Sequence, residues 1–285
     1  MMALPALLLF GLFALLPMVF VVVLSFSKWD GLGSIDWAGG ANWSHILNSG
    51  VTRHALWLTV KVMVISWVIQ TPISLLLGVF LAGKQRYRAV LAAIFFVPLL
   101  LSSAAVALAY RNLLDPNFGL PQSLKSGPLD FLAKDWLGNQ NLVLFTVIFV
   151  ISWQFVPFHS LLYQAGVRQI PATMYEAARI DGASTVQQFF FITLPQLRYT
   201  IVTSTTLMLV GSLTYFDVVF IMTGGGPGYS TRLLPLDMYI TGFQSHDFGQ
   251  ASAIAVLLVA AGLAISLGLV KFSGFSRMQS QSAGA

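Results

Sequence analysis

Two short runs of residues combine side chains that can hold a polyhydroxylated ligand. Trp153, Gln154, Phe155 and Phe158 lie close together, and Ser212, Tyr215 and Asp217 follow Gly211 in the same way. Aromatic faces pack against the C–H surfaces of sugar rings, while amides, hydroxyls and carboxylates take the ring hydroxyls. Any one of these aromatics is explained as well by packing between helices or by contact with lipid. As a cluster beside Gln154 and Ser212 they make a transport path a competing explanation. Asp217 is the sharper signal, because an ionisable side chain inside an apolar run is costly. It either makes a structural hydrogen bond within a bundle or lines a path. Lys61, near the end of its own apolar run, is long enough to snorkel to the headgroups.

Other chemistries lack their residues. The four histidines, His45, His54, His159 and His246, show no ligand spacing, so no metal site is expected. There is no cysteine, hence no disulfide, thiolate site or cysteine nucleophile. No G-x-x-x-x-G-K-[ST] occurs, and no lysine follows the glycine run from Gly224 to Gly228, so nucleotide phosphates are not cradled by that device. No clustered acid and base suggests catalysis, and the chain does not read as an enzyme.

The elements that position these residues follow from composition. Of 285 residues, 56% are hydrophobic and 9% charged, and the mean hydropathy is +0.79. A soluble domain needs about 25% charged residues to cover its surface, so the solvent is a bilayer. A helix needs roughly 20 apolar residues to cross it. Six stretches qualify, at about 3–26, 55–82, 89–110, 142–163, 199–222 and 251–270, which predicts an all-α polytopic membrane protein folded as one domain over 1–285. The first has no basic n-region and is too long for a signal peptide. Lys84, Arg86 and Arg88 crowd one short connection without an acid and place it in the cytoplasm. Both termini, with Lys271 and Arg277, and the connection 164–198 then lie inside, and the loops near 27–54, 111–141 and 223–250 outside. The net charge of +5 therefore speaks of loop orientation rather than of a nucleic-acid partner.

The connection 164–198 is too long for a plain turn. Pro171 suits the first turn of a helix running through Met174, Tyr175, Glu176, Ala177, Ala178 and Arg179. Gly182 suits its left-handed stop, and Ser184 with Gln187 fits a capping box for a second short helix. Glu176 is placed to pair with Arg179 or Arg168. Ala177, Ala178, Gly182 and Ala183 allow close backbone approach, as a groove on another protein would require; lipid headgroups contacting Arg168, Arg179 and Arg198 are the plainer alternative.

Glu176-Ala177-Ala178, then Gly182, then Ile192-x-Leu194-Pro195 resembles, at every motif position, the EAA loop of permease subunits of bacterial ABC importers. The run from Glu176 through Arg179, Asp181, Gly182 and Ala183 to Ser184 is similar to the carbohydrate branch with its maltose-type and glycerol-3-phosphate-type members. Asp115-Pro116-x-x-Gly119, Trp153, the run from Thr223 to Pro227 and Asp247-Phe248-Gly249 support the same branch. The resemblance implies a type I importer permease in the bacterial inner membrane, its loop acting as the coupling helix. It implies a second, homologous permease chain, two ATP-binding subunits that hold ATP and magnesium, an extracytoplasmic solute-binding protein and a sugar substrate. By position, it carries sugar contacts onto Trp153, Gln154, Phe155, Phe158, Gly211, Ser212 and Tyr215. With no basic residue in the spans except Lys61, a neutral mono- or oligosaccharide is preferred to a glycerol phosphate or another polyol. An ion-gradient-driven secondary transporter or channel, the alternative, predicts several intramembrane carboxylates, broken helices and inverted repeats.

Overall fold

The computed structural model describes residues 4–83, 85–125 and 127–273. Met1 to Ala3, Lys84 and the tail with Arg277 lie outside the described residues. Helix α1 (Leu4–Leu24) is apolar on all sides and almost wholly exposed, with an internal π turn at Gly11–Leu15. A two-stranded ribbon, β1 (Ser27–Lys28) paired antiparallel with β2 (Asp36–Trp37), leads to a short helix, Ala41–Asn48. Between the strands the Asp30 carboxylate accepts the Gly33 and Leu32 amides at 2.8 and 3.0 Å, which holds its carboxyl below the ordinary carboxylate range.

Helix α2 (Gly50–Leu81) begins earlier than the apolar run that marked it, because Ser49 caps it by accepting the Thr52 amide. Next come α3 (Arg86–Leu100) and α4 (Ser103–Leu113), which meet at 93°. The third expected span, read as continuous over 89–110, is therefore broken. Pro98 lies in the last turn of α3, Leu101 and Ser102 are extended, and the Ser102 hydroxyl caps α4 by accepting the Ala105 amide. Helix α5 (Val143–Arg168) is long and apolar enough to cross alone and is the most buried of the four candidate spans.

The connection that follows holds α6 (Ala172–Ile180), α7 (Thr185–Gln188) and a π turn at Phe189–Thr193. The fifth expected span is also divided, into α8 (Arg198–Ser212) and α9 (Asp217–Thr223), bent by 46°. After the glycine-rich turn, the short helix Leu234–Tyr239 leads to α10 (Phe248–Ser273). Among the described residues, four helices are thus long and apolar enough to cross a membrane, with two bent pairs beside them.

The bundle is built on the seam between α2 and α5. The buried face of α2 carries Ser66, Gln70, Ser74 and Gly78 at every fourth position, so one stripe of small and polar side chains meets α5. A Cβ on Gly78 would stand 2.6 Å from Tyr163 Cβ and 2.7 Å from the Ser160 carbonyl oxygen, so only glycine permits this approach. Three hydrogen bonds cross the seam: Gln70 Nε2 to Ser152 Oγ at 3.3 Å, Ser74 Oγ to the Val156 carbonyl at 3.3 Å, and Gln164 Nε2 to the Leu81 carbonyl at 2.8 Å. The same seam anchors α4 and α9 through a core of Val62, Val106, Ile148, Ile151, Val219 and Met222. At the end of α2, the Arg88 guanidinium donates to the Phe80 carbonyl and covers the Phe80 ring at 4.6 Å, closing the turn to α3. At the other end of the bundle Arg232 pairs with the buried Asp237 at 2.7 Å, and the Leu234 amide donates to Thr59 Oγ1 at 2.9 Å.

Replacing Gly78 with valine is expected to force α2 from α5 and to destabilise the chain by about 1–3 kcal/mol, the range for overpacking. Thermal unfolding of the detergent-solubilised protein, followed by circular dichroism, measures it.

Candidate functional site

A cavity of about 400 Å³ opens beside the middle of α5. Both helix breaks border it: Leu99 and Ser103 flank the first, and Gly211, Thr214, Tyr215, Phe216 and Asp217 span the second. From α5 come Phe155, Phe158 and His159, at positions i, i+3 and i+4 of one helical face. Phe155 stacks on Tyr215 with ring centroids 5.9 Å apart, joining α5 to the break between α8 and α9. The buried His159 ring meets Ser204 Oγ of α8 at 3.0 Å through Nδ1. No lining residue is lysine or arginine, and Asp217 is the one carboxylate.

Of the eight residues expected to line a path, the structure gathers five: Phe155, Phe158, Gly211, Tyr215 and Asp217. Asp217 is not a buried structural acid. The break places it in the first turn of α9, exposed to the cavity, and its carboxylate has no hydrogen-bond partner among the described residues. The other three lie elsewhere. Trp153 points away and packs edge-on against Tyr110 at 5.3 Å. Ser212 is buried and donates to its own helix at the Leu209 carbonyl, 2.7 Å away. Gln154, 3% exposed, holds the break itself: its Nε2 donates to the Leu101 carbonyl and to Ser103 Oγ, each at 3.2 Å. It thereby satisfies a carbonyl that the end of α3 leaves open. His159 was missed as a wall residue, although its spacing from Phe155 carried the signal.

The connection after α5 has the expected local form, with small shifts. Pro171 is the N-cap of α6 rather than its first helical residue. Gly182, at φ +80°, ends α6 in a Schellman turn, with the Ala183 amide donating to the Ala178 carbonyl at 2.8 Å and the Gly182 amide to Arg179 at 3.1 Å. Ser184 and Gln187 form both halves of the capping box. Glu176, however, pairs with neither Arg179 nor Arg168 among the described residues; it is exposed. The pair of helices is instead tied down by Tyr175 Oη to Thr193 Oγ1 at 2.9 Å and by Leu197, which packs on Leu75 of α2 and Tyr163 of α5. Ile180 and Phe191 stay 87% and 79% exposed, and a Cβ on Gly182 would meet nothing within 4 Å among the described residues beyond its chain neighbours.

Residues 71–277, from the middle of α2 to beyond α10, match the family model described as binding-protein-dependent transport system inner membrane component. The chain belongs to this family. It is a permease subunit of an ABC importer. It is 35% identical to "Probable ABC transporter permease protein YurN" of Bacillus subtilis over 93% of this chain and 92% of that one. It is 33% identical to the multiple sugar-binding transport system permease protein MsmF of Streptococcus mutans, over 82% of this chain and 80% of the relative. The fold is that of a bacterial ABC transporter chain involved in import of the acidic polysaccharide alginate: TM-score 0.85 at 22% identity, covering 97% of this chain and 95% of that one. Broken spans, which the ion-gradient alternative led one to expect, are thus found in a chain of the importer-permease family.

Removing the cap at Ser184 with alanine is expected to loosen α7 by about 1 kcal/mol. Faster amide hydrogen exchange over residues 185–188, with the rest of the chain unchanged, measures it.

Proposed function

We propose that the chain is one of two permease subunits through which a neutral sugar crosses the cytoplasmic membrane by alternating access, driven by ATP hydrolysis on two partner subunits. The observation that carries this reading is the cavity: aromatic faces from Phe155, Phe158 and Tyr215, hydrogen-bonding groups on Asp217 and His159, and no cation among its lining residues. The Asp217 carboxylate accepts hydrogen bonds from sugar hydroxyls and disfavours a uronate or phosphate beside it. That argues for a neutral substrate, unlike the acidic polysaccharide of the structural relative. The similarity to MsmF supports sugar as the class.

In this reading each bent pair is one span. The six spans leave both termini and the α6–α7 pair in the cytoplasm, as the basic turn at Arg86 and Arg88 favours. Glu176, Ala177, Ala178, Arg179, Asp181, Gly182 and Ala183 then form the face that docks on an ATP-binding subunit. The exposed Ile180 and Phe191 give that dock apolar area, and the open space at Gly182 lets a partner's backbone come close. Movement of the dock reaches the cavity through Leu197, Tyr163 and α5. The extracytoplasmic solute-binding protein delivers substrate at the opposite end, near the turn from Thr223 to Gly228.

The test is uptake by proteoliposomes containing the assembled complex, with ATP supplied to the ATPase side and radiolabelled maltose, trehalose, arabinotriose and a glucuronate disaccharide as probes. ATP-dependent uptake of at least one neutral sugar and none of the glucuronate is expected; uptake of glucuronate alone would overturn the substrate assignment. Asp217→Asn is expected to raise KM for the transported sugar about tenfold, as for loss of a hydrogen bond to a charged group. For the dock, Gly182→Ala and Gly182→Trp share the cost of a positive φ. Uptake is expected to fall much further with tryptophan, because only tryptophan fills the open space; equal effects would leave backbone strain as the whole explanation.

A further inference from the structure

A second pocket, of about 360 Å³, lies where the segment after α4 folds over the start of α5. Leu120, Leu124 and Trp136 form one wall, and Phe145 and Phe149 the other. The last two are 52% and 59% exposed, so the pocket is open at its side. Its lining is apolar apart from Thr146, whose hydroxyl is occupied by the Leu142 carbonyl at 3.0 Å.

The Lys61 ammonium sits over the Phe145 ring, 5.8 Å from its centroid. No carboxylate lies within ion-pair distance of Lys61 among the described residues. Phe145 is in the first turn of α5, so its contact fixes Lys61 at the level where that span ends, although α2 begins well before it. Trp57, one turn nearer the start of α2, is 62% exposed, as expected for a residue at the membrane interface. A cation with no carboxylate beside it among the described residues thus stands level with the first turn of α5, on the lip of an apolar pocket that runs along α5 toward the middle of that span.

We propose that this pocket holds an acyl chain of an anionic phospholipid whose phosphate rests on the Lys61 ammonium. The choice of lipid rather than protein rests on the reading above that the sugar crosses between two permease subunits, which puts the second permease opposite the cavity and so on the cavity side of α5. At about 100° per residue, the wall of Phe145 and Phe149 is turned roughly 110° from the face of Phe155, Phe158 and His159, so in that reading the wall turns away from the partner and toward the bilayer. A basic side chain near the headgroups attracts anionic lipid by roughly fivefold, and the apolar wall retains the chain.

The experiment places p-benzoylphenylalanine at Phe149 in the assembled complex, embedded in equal parts of phosphatidylglycerol and phosphatidylethanolamine, and identifies the photo-adduct by mass. A phosphatidylglycerol adduct is expected in excess, reduced about fivefold by Lys61→Gln and restored by Lys61→Arg, since the charge alone sets the preference. An adduct to protein, no lipid adduct, or a lipid adduct with no headgroup preference and no response to Lys61→Gln would overturn the site. ATP-dependent uptake is scored on the same preparation. A complex that fails to transport therefore counts against the importer reading, while the adduct still decides the lipid site.

Discussion

The structure depends on the contact between α2 and α5, made in a solvent that does not drive apolar helices together. Lipid tails are as apolar as leucine, so association rests on close packing and on hydrogen bonds worth about 0.6 kcal/mol each on average. The stripe of Ser66, Gln70, Ser74 and Gly78 meets both needs. Gly78 brings the backbones together, and the bonds from Gln70, Ser74 and Gln164 fix their register. Everything with a functional claim hangs on this seam: the cavity face belongs to α5, Lys61 and Phe145 meet across it, and Leu197 ties the α6–α7 pair to its end.

The two helix breaks are the second constraint. Backbone that leaves the helical ladder at membrane depth must find partners or line a cavity. Leu101 finds Gln154, and the turn from Leu213 to Phe216 lines the cavity wall with Thr214, Tyr215 and Phe216. The breaks also set the chemistry. The turn between α8 and α9 presents the Asp217 carboxylate to the cavity beside Tyr215 and His159.

What the sequence made legible was local or collective. Apolar runs marked the spans because hydropathy is a sum over many residues, and the stop at Gly182 and the box at Ser184 and Gln187 were legible because capping is settled within a few residues. The breaks were not. Pro98, Ser102 and Ser103 are mild interruptions in a long apolar run, and the group that supports the break, Gln154, lies 53 residues from Leu101. The path residues divided by helical phase. Phe155, Phe158 and His159 share a face; Trp153 and Gln154, adjacent in sequence, point elsewhere. Glu176 was expected to pair because a suitable arginine lies on the same helix, but nothing excludes water from it, and an exposed ion pair contributes little.

In the proposed mechanism, motion at the α6–α7 pair changes which side of the membrane the cavity faces. The chain has no cysteine, so one cysteine placed at Thr214, an exposed residue of the cavity wall, reports it alone within this subunit. The measurement is its labelling by a membrane-impermeant maleimide, added to either side of reconstituted complexes whose other subunits lack reactive cysteines, with and without a non-hydrolysable ATP analogue. Labelling is expected from the cytoplasmic side without nucleotide and from the opposite side with it. Labelling from the same side in both states would contradict it.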